Sequence, residues 1–141
     1  MTAPGERVVL AVDPGHVKCG MAVVRADGEV LRKLIVKTAD AVPTADNLAA
    51  EHRPVAIVVG SGTGSKRLLP ALRAAKLDAP IEVVDESHSS EQARARWVDT
   101  HPARGLSRLL PRSLRYPTEP IDDLVAVILA ERYWKRISAG R

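Results

Sequence analysis

Five acidic side chains border apolar segments of the chain and are the residues best suited to chemistry. They are Asp13, Asp85, Glu86, Asp122 and Asp123. Carboxylates that meet in space repel one another and favour a hard divalent cation held through oxygen. Two such ions, Mg²⁺ or Mn²⁺, can activate a water molecule and stabilise the leaving oxygen of a phosphodiester. These residues therefore favour phosphodiester hydrolysis, provided that the fold brings them together.

Each acidic position alone also has a purely structural explanation. Asp13 precedes a Pro-Gly dipeptide that is typical of a turn. The pair at 85–86 is suited to capping a helix, and the pair at 122–123 suits the positive end of a helix dipole. A shared location in the fold is what would distinguish a site from these local roles.

The elements that must position the acids alternate along the chain. Short apolar runs rich in β-branched residues predict buried strands at 8–12, 55–59 and 81–84. The Asp27-Gly28 dipeptide predicts a tight turn between two hairpin strands, 20–25 and 29–37. Apolar residues at helical spacing predict helices at 44–51, 70–76, 89–99 and 120–137. This order predicts an α/β layer fold.

Parallel strands bring their carboxyl ends to one edge of a sheet, where α/β proteins bind ligands. If the three buried strands are parallel neighbours, Asp13, the Gly60 loop and either Asp85 or Glu86 share that edge. Asp122 lies beside the buried stripe of the last helix, whereas Asp123 points further towards water. The acidic site is therefore predicted at this edge.

Length and composition limit the class of protein. The 141 residues fit one domain, residues 1–141. The longest apolar run, 124–130, is far shorter than the roughly 18 residues that span a bilayer, and no secretory signal is present. We therefore expect a cytoplasmic protein that does not bind a membrane. The single cysteine, Cys19, excludes an internal disulfide and a cysteine-based zinc cluster.

The excess positive charge lies in the second part of the chain. Residues 87–141 carry ten basic and six acidic side chains, and residues 94–115 contain six arginines. Arginine binds phosphate oxygens through its planar fork, so nucleic acid is the expected partner. Residues 100–118 lack clear periodicity and predict a flexible, arginine-rich loop. The predicted nucleic-acid contacts are Lys66, Arg67, Arg94, Arg104, Arg108, Arg112 and Arg115.

Three stretches carry a resemblance to a known family. Residues 12–15 (Val-Asp-Pro-Gly) with 20–23 (Gly-Met-Ala-Val) resemble the first motif of RuvC-type Holliday junction resolvases. Residues 83–86 (Val-Val-Asp-Glu), followed by Ser89, resemble the Asp-Glu-Arg segment of the YqgF (RuvX) family. Residues 121–127 resemble the closing helix of that family. The chain departs from its pattern at Pro14, at Gly60-Ser61-Gly62 and at Ser87, which replaces an arginine.

The resemblance implies an RNase H-like fold, a mixed five-stranded sheet with an antiparallel hairpin and helices on both faces. It implies Asp13, Glu86 and Asp122 as catalytic metal ligands, and two Mg²⁺ or Mn²⁺ ions are the expected cofactors. Asp123, next to Asp122, is a further predicted metal ligand. The implied activity is that of a nuclease. Such an enzyme would process the 5′ end of precursor 16S ribosomal RNA, or cut branched or single-stranded DNA as a Holliday junction resolvase does.

Several alternatives remain open at this point. The chain could instead be a non-catalytic nucleic-acid-binding or ribosome-assembly module. An actin-like or sugar-kinase ATPase ranks last, because it needs two lobes and a longer chain. His16 and His88 adjoin the acids and are candidates for proton transfer. Only four Trp or Tyr residues are present, which predicts phosphate contacts rather than base stacking, in a monomer or a homodimer.

Overall fold

The computed structural model describes residues 6–62 and 64–140. They form one sheet and four α-helices. The strands are β1 (Val8–Asp13), β2 (Lys18–Arg25), β3 (Val30–Lys37), β4 (Ala56–Gly60) and β5 (Ile81–Val84). The helices are α1 (Ala41–His52), α2 (Ser65–Ala74), α3 (Ser89–Thr100) and α4 (Asp122–Ala139). All predicted strands and helices are therefore present in this part of the chain.

The sheet is mixed, with the strand order β3-β2-β1-β4-β5. The hairpin strands β2 and β3 pair antiparallel with each other, and β2 pairs antiparallel with β1. Strands β1, β4 and β5 are parallel neighbours, as predicted. The carboxyl ends of these three strands consequently lie at one edge of the sheet.

Helices cover both faces of the sheet. The parallel strands carry apolar side chains on both sides, and both sides must be buried. On one face, Leu10 and Val12 pack in a cluster with Leu48 of α1 and Leu72 of α2. On the other, Val9 and Ala11 join a cluster that includes α4 residues from Ala126 to Trp134. Helix α3 packs against α4. Even-numbered residues of β1 therefore face one layer of helices and odd-numbered residues face the other, because side chains alternate along a strand.

Three predicted helix starts are wrong by two to five residues, and the first of them, residue 44, lies inside α1, which begins at Ala41. The predicted start of α2 is Pro70, but the helix begins at Ser65 and Pro70 lies inside it, although proline disfavours a helix interior. Burial of Leu68 and Leu72, one helical turn apart, outweighs this local preference. Pro120 was expected in the first turn of α4, which instead begins at Asp122.

The arginine-rich segment, residues 100–118, contains only short 3-10 turns, at Gly105–Leu109 and Arg112–Leu114. Its Leu106 and Leu109 side chains are 85% and 82% exposed. These exposed leucines were not anticipated, because sequence patterns identify buried faces only where a regular period exists. In the part of the chain that the structure describes, no helix is both long and apolar enough to cross a membrane.

Candidate active site

Asp13 and Glu86 lie on the face of the sheet that α4 covers. Val9 and Ala11 of β1 point towards α4, so Asp13, two residues further, points the same way. Val84 of β5 belongs to the same cluster, and Glu86 follows it by two residues. Asp13 at the end of β1 and Glu86, two residues beyond the end of β5, thus come to the same place at the carboxyl edge of the sheet.

Asp122 reaches this place from the first position of α4. Asp13 is paired with Gly20 of β2, and a Cβ atom on Gly20 would lie 1.9 Å from the backbone oxygen of Asp122. Only a residue without a side chain allows the start of α4 to approach the sheet this closely. The glycine of the hairpin therefore positions the third acid beside the first.

Asp13 is the most perturbed titratable group of the site. Burial, followed by the negative charges of Glu86 and Asp122, raises its pKa from 3.8 to about 7. A hydrogen bond to Glu86 contributes in the same direction, so the protonated Asp13 carboxyl is the donor and the Glu86 carboxylate accepts. Glu86 and Asp122 are thus close enough to Asp13 for their charges to raise its pKa.

Glu86 is held by the loop that follows β4. The pKa of Glu86 is raised by burial, and this shift is opposed by hydrogen bonds from Asp13 and from the backbone of Gly62. A Cβ atom on Gly62 would lie 1.4 Å from Glu86 Oε1, and one on Gly60 would lie 2.8 Å from Oε2. Ser61 adds a bond from its hydroxyl oxygen, which accepts the Glu86 amide at 3.3 Å.

Glycine-rich loops that follow a strand often offer their backbone amides to a phosphate. The structure instead places Gly60 and Gly62 against the Glu86 carboxylate, and the Gly62 backbone is already engaged by it. Thr63 of the same loop lies outside the described residues. The loop therefore orients a candidate metal ligand.

Lys18 is a member of the site that sequence analysis missed. Its Nζ atom lies 3.5 Å from Asp122 Oδ2. Lys18 is on β2, two residues before Gly20, and so shares the face of the sheet on which Asp122 lies. The pairing of Gly20 with Asp13 was the signal that could have identified it, but that pairing is a property of the register and not of the local sequence.

Two of the predicted acids are directed elsewhere. Asp123 accepts a hydrogen bond from the Leu124 amide at 2.9 Å and lines a separate cavity with Lys33 and Glu119. Asp85 accepts bonds from the amide and the hydroxyl of Ser87, which lower its pKa. Successive residues of a helix or turn point in different directions, so only one acid of each pair faces Asp13.

The two candidate proton-transfer histidines are both exposed. His88 adopts a left-handed conformation at the start of α3, and its Nδ1 atom lies 3.2 Å from Glu91 Oε2. His16 lies in the turn between β1 and β2, close in sequence to Asp13. A role for either residue in proton transfer stays a prediction.

Of the seven side chains predicted to contact nucleic acid, some are free and others interact with neighbouring residues. Among the described residues, no hydrogen bond or ion pair involves the side chains of Lys66, Arg67, Arg104 or Arg108. Arg112 forms an ion pair with Asp99, and Arg115 donates from Nε to the Leu110 oxygen at 3.2 Å. The Arg94 guanidinium lies 5.1 Å from the centre of the Tyr116 ring. Their contact with nucleic acid stays a prediction.

The donor set of the site fits a hard divalent cation. Within residues 6–62 and 64–140, no group of three His, Cys, Asp or Glu side chains is already arranged so that it could hold a metal ion. Asp13 faces Glu86, and Asp122 faces Lys18. All three acids nevertheless offer carboxylate oxygen, the ligand that Mg²⁺ and Mn²⁺ prefer, and added positive charge would relieve the repulsion that raises the pKa of Asp13.

Comparison with solved structures identifies the fold. The chain is similar to T. thermophilus RuvC in complex with a Holliday junction substrate, with a TM-score of 0.63 and 19% identity over 94% of this chain and 96% of that one. The fold is RuvC-like. A second structure of Thermus thermophilus RuvC gives a TM-score of 0.58 and 16% identity over 92% of this chain and 96% of that one. The predicted fold class is confirmed, with its mixed sheet and two helical layers.

No family model matches the chain, and no curated protein matches its sequence. Membership of the YqgF (RuvX) family therefore stays a prediction. The similarity to RuvC concerns the fold alone.

Proposed function

We propose that this protein is a divalent-metal-dependent nuclease that hydrolyses phosphodiester bonds in nucleic acid. The observation that carries the proposal is the meeting of Asp13, Glu86 and Asp122, which are far apart in the sequence, at the carboxyl edge of the parallel strands. A half-buried carboxyl whose pKa is raised to about 7 beside two other acids is typical of a functional site.

The three acids have distinct roles in this proposal. Asp13, Glu86 and Asp122 would hold the ions, and Asp13 would be the central ligand because it interacts with both other acids. When bound, two Mg²⁺ or Mn²⁺ ions supply an activated water and stabilise the leaving oxygen. Asp13 must release its proton to act as a ligand, and the loop at Gly62 keeps the Glu86 carboxylate in place.

The substrate class follows from charge and from the fold. The formal net charge is +4, and the free arginines of the arginine-rich segment suit phosphate oxygens. One RuvC structure with this fold contains a Holliday junction substrate. We therefore propose branched or single-stranded DNA, or the 5′ region of precursor 16S ribosomal RNA, as substrates, bound by a monomer or a homodimer.

A cleavage panel tests the proposal. End-labelled four-way junction, single-stranded DNA and precursor 16S RNA are each incubated with the protein and Mg²⁺ or Mn²⁺, with Asp13→Asn as the control. We expect the wild-type protein to cut at least one substrate and the variant to cut none. Cleavage in EDTA, or by Asp13→Asn at the wild-type rate, would contradict a two-metal nuclease.

The alternative is a non-catalytic nucleic-acid-binding or ribosome-assembly module. The ion pair between Lys18 and Asp122, which neutralises one acid without an added ion, is the observation that favours it. This alternative predicts that every substrate in the panel is bound and none is cut, with or without divalent ions.

A further inference from the structure

A cavity of about 720 Å³ lies between α3 and the arginine-rich segment, apart from the three acids. Its volume is within the range of roughly 300 to 1,000 Å³ that is typical of small-molecule sites. Neither Asp13, Glu86 nor Asp122 lines it. The nuclease chemistry therefore leaves this cavity unexplained.

One wall of the cavity is an ordered pair of stacked rings. The rings of Trp97 and His101 are parallel to within 5°, with centres 4.0 Å apart. Trp97 is only 8% exposed and donates from Nε1 to Glu119 Oε1 at 3.0 Å. His101 Nδ1 lies 2.9 Å from the Trp97 oxygen, so Nδ1 carries the proton and is the donor. Both rings are consequently held in place before any ligand arrives.

A third ring, that of Tyr116, lines the same cavity and is 62% exposed. The Arg94 guanidinium lies 5.1 Å from its centre, a distance at which a cation and an aromatic ring attract each other. A large exposed aromatic side chain beside a cavity is typical of a binding surface. The fold thus brings Tyr116 to the same cavity as the stacked rings of Trp97 and His101, whereas the few Trp and Tyr residues in the sequence predicted phosphate contacts rather than base stacking.

The cavity also has a positive rim. Arg104 and Arg115 line it, and residues 100–118 contain four arginines and no acid. The one acid that pairs with an arginine of this segment, Asp99, neutralises Arg112 and not the two arginines of the rim. A ligand that fits must combine a flat, apolar-faced group with a nearby anion.

We propose that this cavity binds an unpaired base of a single-stranded nucleic acid, while the arginines of the rim bind the adjoining phosphates. Bases present flat π-faces and phosphates carry the negative charge, so one nucleotide supplies both requirements. The proposal rests on the proposed nucleic-acid substrate and names the feature of it that is recognised, a base outside a duplex.

The position of the cavity suits a substrate that reaches the acids. Helix α3 begins three residues after Glu86, and Trp97 lies eight residues further along it. At 1.5 Å per residue this is about 12 Å, or roughly three to four nucleotides of a stacked strand. This spacing along α3 is what the proposal uses to let a strand with one base in the cavity reach the acids with a phosphate a few nucleotides away.

The test separates bases from phosphates. Two DNA strands of about 12 nucleotides are compared, an oligothymidylate and a strand of the same length with abasic sites throughout. Binding is followed by fluorescence anisotropy in EDTA, so that cleavage plays no part. We expect the wild-type protein to bind the oligothymidylate about fivefold to tenfold more tightly. Tyr116→Ala should remove most of this preference, and Tyr116→Phe should keep it.

Leu106→Ala is the matched control, because Leu106 is in the same segment and exposed but does not line the cavity. It should bind both strands as the wild type does. Equal affinity of the wild-type protein for the two strands would overturn the proposal, as would an equal loss for both strands in Tyr116→Ala. Equal affinity of the wild-type protein for the two strands would indicate that the cavity binds a protein partner instead.

Failure of this proposal is distinguishable from failure of the proposed nuclease activity. A base preference that depends on Tyr116, without cleavage of any substrate, would support the cavity and refute the nuclease. Cleavage that depends on Asp13, without a base preference, would support the nuclease and refute the cavity.

Discussion

The acidic edge and the arginine-rich segment were both predicted from sequence as functional, and they are built in opposite ways. The acidic edge consists of strand ends and a helix start that approach more closely than a Cβ atom permits, at Gly20 and Gly62. The arginine-rich segment consists of short 3-10 turns with exposed side chains. One region is dense and the other open.

The difference matches what each region is proposed to bind. Ligands of a metal ion must be placed within a few tenths of an ångström, so the backbone around them has little freedom. Attraction between arginine and phosphate acts over several ångströms and tolerates movement of the side chain. We therefore expect substitutions at the acidic edge to affect cleavage strongly, and substitutions in the arginine-rich segment to affect binding moderately.

The largest effect should come from Asp13→Asn. The amide keeps the shape of the side chain but removes the charge of the bridging ligand, so cleavage under saturating substrate should fall by about 10³-fold. The affinity for nucleic acid, measured by anisotropy, should stay the same or rise, because one negative charge is lost. Arg108→Ala should show the reverse pattern, with weaker binding and near-normal cleavage at saturation. An equal loss of cleavage in both variants would contradict the proposal that the acidic edge serves cleavage and the arginine-rich segment serves binding.

The pKa of Asp13 predicts a dependence of stability on pH. The folded protein keeps this proton up to about pH 7, whereas the unfolded chain releases it near 3.8. Between these values the folded state binds more protons, so the stabilisation is complete below 3.8 and is lost as the pH rises through 7. Ionisation of Asp13 should lower the free energy of unfolding by up to about 4 kcal/mol at pH 8.

Chemical denaturation in EDTA from pH 4 to 8 measures this effect. The decline in the free energy of unfolding should be steeper for the wild-type protein than for Asp13→Asn, which has no group to titrate at that position. Adding Mg²⁺ at pH 8 should stabilise the wild-type protein more than the variant. Parallel curves for the two proteins would contradict a raised pKa at Asp13.

A smaller effect on cleavage is expected from Gly62→Ala. The added Cβ atom would lie 1.4 Å from Glu86 Oε1, so the carboxylate must move. Loss of the groups that orient a metal ligand lowers activity by about 10- to 100-fold. Gly140→Ala is the control, since its Cβ atom would meet nothing nearer than 3.5 Å, and it should cleave normally. Normal cleavage by Gly62→Ala would mean that the acidic edge tolerates movement.

The smallest effect concerns single arginines of the arginine-rich segment. Arg108→Ala should weaken binding a few-fold and reduce the slope of log affinity against log salt by about 0.7 to 0.9, because one phosphate contact is lost. Arg112→Ala should have less effect, since Asp99 already neutralises Arg112. Titrations from about 50 to 200 mM salt compare the two variants. An equal change in slope would show that the ion pair opens on binding.

The sequence by itself determined the elements of the fold and the positions of the acids along the chain. Apolar runs, the Asp27-Gly28 turn and the spacing of residues in the last helix are local signals, because strand alternation and helix periodicity act over a few residues. The placement of Asp13 at the end of β1 and of Asp122 at the start of α4 follows from them.

Only the tertiary structure decided which side chains meet. The contact of Lys18 with Asp122, the engagement of Glu86 by the Gly62 loop and the approach of Tyr116 to the stacked rings of Trp97 and His101 all depend on register and packing. Each of these contacts joins residues that are well separated in the chain. A shift of one residue in register would reverse them without changing any local pattern.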